Sequence, residues 1–255
     1  MMGSEAIWAI VGSGFYALGT GLAFKTDSPW VGRMVLNGAI FVALAIGLRW
    51  HAVGHGPFLT LYEILLSSLF SLGLIYGIAH LLSPAVRSAC PTVCGVLLLL
   101  GVWLLIAEPR PTPLPATYEN PWLWLHVLVG KLFLGCSLIA AGLALAAAAA
   151  TGEERGRRDE AAWQWLLAAL VFHSAMLVAG AVWAQDAWGR YWAWDPLETW
   201  AFGTWLFMVA VLHARRSVPL SARLGRLLIV AVFVLAFLTF FGVPFVSLAP
   251  HKGAV

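Results

Sequence analysis

Residues 183–200 combine aromatic and acidic side chains in the order Trp-Ala-Gln-Asp-Ala-Trp-Gly-Arg-Tyr-Trp-Ala-Trp-Asp-Pro-Leu-Glu-Thr-Trp. The segment contains the aromatic residues Trp183, Trp188, Tyr191, Trp192, Trp194 and Trp200, the acids Asp186, Asp195 and Glu198, and the base Arg190. Indole rings at this density form a broad apolar surface, and fixed polar groups among them orient a ligand that lies on it. The segment therefore predicts a binding site for a large planar ligand.

A membrane-interface belt is the competing interpretation of this segment, because Trp and Tyr favour the headgroup layer of a bilayer. Such a belt accounts for some of the aromatic residues. It does not account for five tryptophans interleaved with carboxylates, a glycine and a proline. We therefore favour a ligand-binding role for the segment.

The composition places the segment in a membrane protein. The chain has 255 residues, of which 61% are hydrophobic and 11% charged, and its mean hydropathy is +0.86. Soluble domains of this length are far more polar, so the chain is predicted to be a polytopic integral membrane protein. Its basic residues are scattered in short loops, which excludes a nucleic-acid partner and leaves membrane lipid as the surrounding medium.

Apolar runs of about 20 residues cross a bilayer as helices. The chain has eight runs of roughly this kind, at about 5–24, 31–49, 59–82, 86–106, 122–149, 162–184, 200–213 and 224–244. We therefore predict an all-α fold with about eight transmembrane helices, forming a single domain over residues 1–255 with the Trp-rich segment 183–205 inside it. Five prolines exclude a helix in residues 107–121 and predict an extended outer loop there.

The distribution of lysine and arginine predicts the topology, because cytoplasmic loops are enriched in both. Ten of the fifteen fall in the first, third, fifth and seventh links between predicted spans. Those links are therefore assigned to the cytoplasmic side. Both termini and the Trp-rich segment then face outward.

The spacing Trp188-Gly-x-x-Trp192-x-Trp194-Asp195-Pro196-x-Glu198-Thr199-Trp200 resembles the "WWD" signature of haem-handling proteins. These are the cytochrome c assembly membrane proteins of the CcsA (or ResC), CcmC and CcmF kind. Leu197 stands where the family usually has Lys, and Ala193 where it has Ser. The resemblance implies that the planar ligand is haem, bound as a b-type substrate.

Two histidines fall on the predicted outer face with the Trp-rich segment, and two imidazoles can ligate a haem iron from opposite sides. His126 lies just inside the fifth predicted span, and His251 lies in the outer tail. A structural role is the alternative for each histidine taken alone. The resemblance supports ligation: Trp122-Leu-Trp-Leu-His126-Val is similar to a ligand-bearing element of the family. The segment ending at His251 departs from the family pattern.

Two further histidines lie deeper in the membrane. His213 ends the seventh span, about 20 Å below the Trp-rich segment, where it either interacts with the helix dipole or, as the resemblance implies, ligates haem at an inner site. In the family the partner ligand at that site comes from a CcsB- or ResB-type protein. His173 lies in the middle of the sixth span, where an ionisable residue is a functional candidate. Both a substitute ligand and a hydrogen-bonded core histidine fit it.

The segment His55-Gly-Pro-Phe-Leu-Thr-Leu-Tyr62-Glu63 resembles a family element that opens a span. A buried Glu63 must be paired or protonated. We assign His55, Tyr62 and Glu63 a structural or haem-contacting role at the outer face. The resemblance runs from about residue 50 to the C-terminus.

The resemblance implies a function in cytochrome c biogenesis, in a bacterial inner (plasma) membrane or a thylakoid membrane. The chain would bind haem, move it to the periplasmic or lumenal face, and present it for thioether attachment to the Cys-x-x-Cys-His segment of apocytochrome c. The enzyme would be a haem lyase complex with a CcsB-type partner, and thiol-reducing proteins would keep the substrate cysteines reduced. The alternatives are a CcmC-like haem-delivery chaperone without ligation activity, a membrane regulator that kept the fold, and a transporter of another ligand.

Overall fold

The computed structural model describes residues 4–23 and 29–247, and the regular elements in these ranges are helices. Their bounds are α1 (Ser4–Ala23), α2 (Pro29–Val53), α3 (Leu61–Leu82), α4 (Pro84–Arg87), α5 (Cys90–Ile106), α6 (Pro121–Ala149), α7 (Gly152–Trp188), α8 (Pro196–Ser217), α9 (Ala222–Phe241) and α10 (Val243–Val246). A 3-10 turn at Ala116–Tyr118 precedes α6. The all-α prediction is confirmed.

Seven of these helices are long and apolar enough to cross a membrane: α1, α2, α3, α6, α7, α8 and α9. The fourth predicted span corresponds to α5, whose 17 residues make it shorter than the other seven. The chain is therefore an integral membrane protein. The count of eight spans and the outward orientation of both termini stay predictions.

Prolines and polar caps set the starts of several helices. Pro29, Pro84, Pro121 and Pro196 are the first residues of their helices, where the missing N–H costs nothing because the first turn has no carbonyl to pair with it. Between Ile106 and Pro121 the predicted proline-rich loop contains only the 3-10 turn. The same chemistry lets α8 begin at Pro196, inside the Trp-rich segment, so the seventh span is longer than its apolar run.

Helix α7 is longer than its apolar run, which predicted a span over 162–184. It has 37 residues, about 55 Å at the helical rise, whereas the hydrocarbon layer is about 30 Å thick. Its polar first turns are held by ion pairs: Asp159 Oδ2 accepts from Arg226 Nη1 at 2.9 Å, and Glu160 pairs with Arg215. These pairs connect the start of α7 to the end of α8 and the start of α9.

The chain divides into two compact units, and α1 to α5 form the first. Tyr16 is fully buried there, and its hydroxyl donates to the carbonyl of Leu69 at 2.8 Å. Its ring occupies space left by Gly38 and Gly73, where an added Cβ would lie within 2.7 Å and 2.4 Å of Tyr16 atoms. These small residues let α1, α2 and α3 pack closely. The single-domain organisation stays a prediction.

Helices α6 to α10 and the 3-10 turn form the second unit, and α6 packs against α7 and α9. The Ala-rich half of α6 is buried almost throughout residues 138–144. The start of α6 and the end of α7 lie together, since Asn120 Nδ2 donates to Asp186 Oδ2 at 3.1 Å. We call this the Trp-rich end of the unit, and the opposite end, with Arg215 and Arg226, the Arg-rich end.

Candidate functional site

The loop between α7 and α8 carries most of the predicted aromatic surface, and two residues in left-handed conformations shape it. Gly189 ends α7 with φ 72°, a conformation that costs glycine little. Trp194 has φ 58° and is the non-glycine residue with positive φ in the described ranges. Such a conformation costs a tryptophan about 1–2 kcal/mol. The indole of Trp194 is 66% exposed, so the surrounding loop must maintain its backbone.

The acids of the Trp-rich segment maintain that backbone. Asp195 is the N-cap of α8, and its Oδ1 accepts from the N–H of Glu198 at 2.9 Å. Glu198 Oε2 in return accepts from the N–H of Ala193 at 2.8 Å and of Asp195 at 3.4 Å. This reciprocal arrangement is a capping box. Glu198 therefore fixes the loop, while Arg190 is exposed and forms no ion pair with it.

The aromatic rings at the Trp-rich end meet edge to face rather than in one plane. Trp192 and Trp194 are 5.7 Å apart at 81°, and both rings also contact Phe202 edge-on. Phe202 stacks on Trp205, 5.9 Å away at 9°. The rings of Tyr191 and Trp200 are exposed, by 62% and 42%. These residues form the loop group of aromatics.

A second aromatic group surrounds Trp183, which is 1% exposed. Its Nε1–H donates to the carbonyl of Thr117 at 2.8 Å. The rings of Tyr118 and Trp188 meet it edge-on at 5.4 Å and 4.9 Å. The imidazole of His126 stacks against it at 6.1 Å and 29°. Trp183 is therefore a buried support for His126 rather than part of an exposed surface.

His126 has a defined tautomer because of its partner. Its Nδ1 lies 2.9 Å from the carbonyl oxygen of Met176. A carbonyl only accepts hydrogen bonds, so Nδ1 carries the proton, and in the neutral ring Nε2 carries the lone pair. Ligating imidazoles in metalloproteins commonly have this arrangement. This arrangement suits an axial ligand, and haem ligation by His126 stays a prediction.

His173 is fully buried in the interior of the second unit, on the same helix as Met176. Its ring stacks on Phe133, with centroids 3.9 Å apart and an interplanar angle of 14°. Neither ring nitrogen has a hydrogen-bond partner among the described residues. The structure therefore shows no hydrogen bond, among the described residues, for the prediction that His173 is a hydrogen-bonded core histidine.

Of the remaining two predicted haem ligands, only His213 lies within the described residues. His213 lies in the last turns of α8, at the Arg-rich end, and is exposed, with its Nε2 3.1 Å from Ser217 Oγ. It is 17 residues from Pro196, which is about 25 Å along the helix. His251 lies outside the described residues.

The element around Glu63 lies in the first unit and forms a buried ion pair that the sequence reasoning missed. Arg49, on α2, donates from Nε to Glu63 Oε1 at 3.1 Å, and both side chains are buried. Arg49 also donates to the carbonyls of Pro109 and Arg110 at 2.9 Å and 2.7 Å. The signal was available, because a buried glutamate requires a nearby cation and Arg49 lies at the end of an apolar run.

Glu63 also organises the start of α3. Its Oε2 accepts from the N–H groups of Leu59 and Thr60 at 3.2 Å each, and Thr60 Oγ1 accepts from the N–H of Glu63 at 3.3 Å. Thr60 and Glu63 therefore form a second capping box. The hydroxyl of Tyr62, whose ring lies 5.6 Å from the guanidinium of Arg49, has no partner among the described residues.

His55 ties the proline-rich loop to this cluster. Its Nδ1 lies 2.9 Å from the carbonyl of Gly56, and its Nε2 lies 2.9 Å from the carbonyl of Thr112. Both contacts are hydrogen bonds only when both nitrogens carry protons, and Glu63 Oε2 lies 4.0 Å from Nδ1. Both ring nitrogens thus face backbone carbonyls, which is compatible with the structural role predicted for His55.

The sequence matches a family of known proteins over most of its length. The family model described as "Cytochrome C assembly protein" matches residues 34–251. The "Cytochrome c biogenesis protein CcsA" of Prochlorococcus marinus (strain MIT 9312) is 26% identical, over 91% of this chain and 87% of the relative. A protein with the same description from Cuscuta reflexa is 37% identical over a shorter stretch, 35% of this chain and 30% of the relative.

A solved structure, "Cytochrome c Heme Lyase CcmF", has a similar fold. It superimposes with a TM-score of 0.74 at 20% sequence identity, and the match covers 93% of this chain. The match covers 46% of that chain, so the present protein spans less than half of its length. The likeness shows a shared helical fold.

The buried pair around Glu63 generates a stability prediction. In Glu63→Gln, Arg49 loses its counter-charge and an amide N–H₂ replaces an oxygen that accepts from backbone N–H groups. We expect the free energy of unfolding to fall by about 3–5 kcal/mol, the usual effect of breaking a buried pair. The midpoint of thermal unfolding in detergent measures the change.

Glu108→Gln is the matched control, because Glu108 pairs with Arg110 in the same loop while both side chains are mostly exposed. Exposed pairs contribute about 0–1 kcal/mol. Equal melting temperatures for the two variants would contradict a structural role for the buried pair.

Proposed function

The chain belongs to the cytochrome c assembly protein family, and from this membership we propose that it binds haem at the outer membrane face for attachment to an apocytochrome c. The attachment forms thioethers between haem and the Cys-x-x-Cys-His segment of that substrate. The membrane is a bacterial inner membrane or a thylakoid membrane, and the Trp-rich end faces its periplasmic or lumenal side.

The hydrogen bond and the ring contact that fix His126 are the observations that support this proposal most strongly. Its Nδ1–H donates to the Met176 carbonyl and its ring rests on Trp183, so the imidazole has one orientation and one tautomer. A general structural histidine needs neither. An axial ligand needs both, because the iron requires a lone pair on Nε2 that points in a fixed direction.

The loop group of aromatics fits the remainder of a haem. Trp192, Trp194 and Tyr191 supply apolar rings beside a loop whose backbone is held by Glu198, so contact with the macrocycle requires little ordering. Trp192 also has a buried Nε1–H without a partner among the described residues. A haem propionate is a carboxylate and accepts such a donor. Trp188 and Trp200 complete the proposed contact surface.

The chemistry of attachment then needs no nucleophile from this chain. Each substrate thiol adds across a haem vinyl group, the sulfur bonding to one carbon and the hydrogen going to the other, so no oxidant is consumed. The chain orients the haem by its axial imidazoles and excludes water from it. The substrate histidine replaces one imidazole, and the product leaves.

Further proposed roles extend this site. His251 is the second axial ligand at the outer face, and His213 is a ligand at an inner site that a CcsB- or ResB-type membrane protein completes. Haem is then carried as a b-type substrate from the Arg-rich end to the Trp-rich end. His173 lies between these ends and is a candidate ligand on the way. Thiol-reducing proteins keep the substrate cysteines reduced.

His126→Ala tests the axial assignment. Purified parent protein is expected to carry six-coordinate, low-spin haem, and the variant is expected to lose it or to hold it in a weakly bound, high-spin form. Absorption spectra of reduced and oxidised protein, with haem quantified by pyridine extraction, measure this. His51→Ala is the control, since His51 is exposed at the end of α2. Unchanged spectra for His126→Ala would refute the assignment.

The double variant Trp192→Leu, Trp194→Leu tests the loop group of aromatics. It keeps the hydrophobicity and removes the rings, so we expect at least about 10-fold less covalent cytochrome c in a maturation assay, given about 1 kcal/mol or more per lost aromatic contact. Trp30→Leu with Trp50→Leu is the matched control, because both are exposed tryptophans of α2. Equal cytochrome c maturation in the two double variants would mean that the rings are only an interface belt. If the parent protein binds haem but does not attach it, the chain is a delivery chaperone.

A further inference from the structure

Gly180, on α7, leaves the space in which the imidazole of His126 lies. An added Cβ at Gly180 would be 2.7 Å from His126 Nδ1 and 2.9 Å from its Cε1. Carbon atoms do not approach ring atoms so closely, so the imidazole occupies the volume that any side chain at position 180 would fill. The contact is with the polar edge of the ring, which carries the hydrogen bond.

The same glycine exposes the carbonyl to which His126 donates. Side chains on a helix lean toward its N-terminus and cover the preceding turn. Met176 is four residues before Gly180, so a side chain at 180 would cover its carbonyl. With glycine there, that oxygen is accessible from α6, and His126 Nδ1 reaches it at 2.9 Å.

We propose that Gly180 is a positioning residue for haem ligation, because the absence of a side chain there gives His126 access to the Met176 carbonyl. The inference rests on the proposed function of His126. An imidazole that donates to a carbonyl is a stronger electron donor at its other nitrogen, which strengthens the bond to iron and favours the oxidised state. Gly180 thereby raises haem affinity and lowers the reduction potential of the bound haem.

Helix packing alone is the competing explanation for this glycine. Gly130, on α6, illustrates it: an added Cβ there would meet Met176 Sδ at 3.0 Å and Phe240 Cζ at 3.3 Å, which are apolar atoms. A glycine that serves only close packing would destabilise the protein when replaced, whatever residue stands at 126. A glycine that seats His126 would do so only while the imidazole is present.

A melting-temperature cycle on haem-free protein separates these explanations. The four proteins are the parent chain, Gly180→Ala, His126→Ala and the double variant. We expect Gly180→Ala to lower the melting temperature of the parent chain, and to leave that of His126→Ala unchanged or higher, since the clash is gone and alanine favours the helix. An equal loss in both backgrounds would overturn the proposal, and it would do so even if no haem bound.

Haem binding supplies the second readout. Gly180→Ala is expected to bind haem about 10–100-fold more weakly than the parent chain, the usual effect of losing an outer partner of a metal ligand. Its reduction potential is expected to rise. Imidazole added to the buffer should restore the low-spin spectrum of Gly180→Ala by replacing the missing ligand. It would not do so if the variant had only a packing defect. Gly156→Ala is the matched control, because position 156 lies on the same helix with open space around it.

The outcomes separate the two levels of inference. A parent chain that binds no haem would overturn the proposed function, and the melting cycle would still decide whether Gly180 seats His126. Haem bound by Gly180→Ala with the parent affinity and potential would overturn the positioning role while leaving the proposed function intact. If Gly180→Ala does not fold, recovery of folding in the double variant supports the proposal that Gly180 positions His126. Continued failure to fold overturns that proposal.

Discussion

Polar groups inside an apolar helical unit must find partners, and the helix ladder already uses most of the backbone. The key side chains of this chain solve that problem with the few backbone groups left over. Glu63 accepts from N–H groups at the start of α3, and Arg49 donates to carbonyls of the proline-rich loop. Glu198 accepts from N–H groups ahead of α8. Buried charge and loop geometry are therefore coupled in both units.

Four buried side chains do not follow this rule among the described residues: Ser13 and Tyr62 in the first unit, and His173 and Trp192 in the second. His173 has no partner at either ring nitrogen, and Trp192 has none at Nε1. An unpartnered buried donor or acceptor costs about 1–3 kcal/mol. Replacement by an apolar residue of similar size would remove that cost. The unpartnered ring nitrogens of His173 and Trp192 are compatible with the proposed function of holding a ligand.

The positions of the helices could be predicted from the sequence, because apolar runs indicate the spans and prolines indicate helix starts and loops. The length of α7 was not, since its first turns are polar and are held by Arg215 and Arg226 from other helices. Of the proposed site, the place of His126 near the start of α6 could be predicted, but its partner Met176 contributes a backbone atom that no sequence pattern marks. The role of Gly180 likewise depends on which residue of α6 lies opposite.

The capping role of Asp195 and Glu198 was not predicted, although the sequence contains the pattern that indicates it. Asp195-Pro-Leu-Glu198 has the N-cap, proline and third-position glutamate of a capping box, whereas the aromatic pattern around the acids predicted only that they orient a ligand. Their actual work is to hold Ala193 and Trp194 in a loop that would otherwise relax. A left-handed tryptophan with an exposed ring persists only where the neighbouring structure maintains it. The acids and the aromatics of the segment thus act together, because helix capping keeps the strained loop in the conformation that the proposed haem site uses.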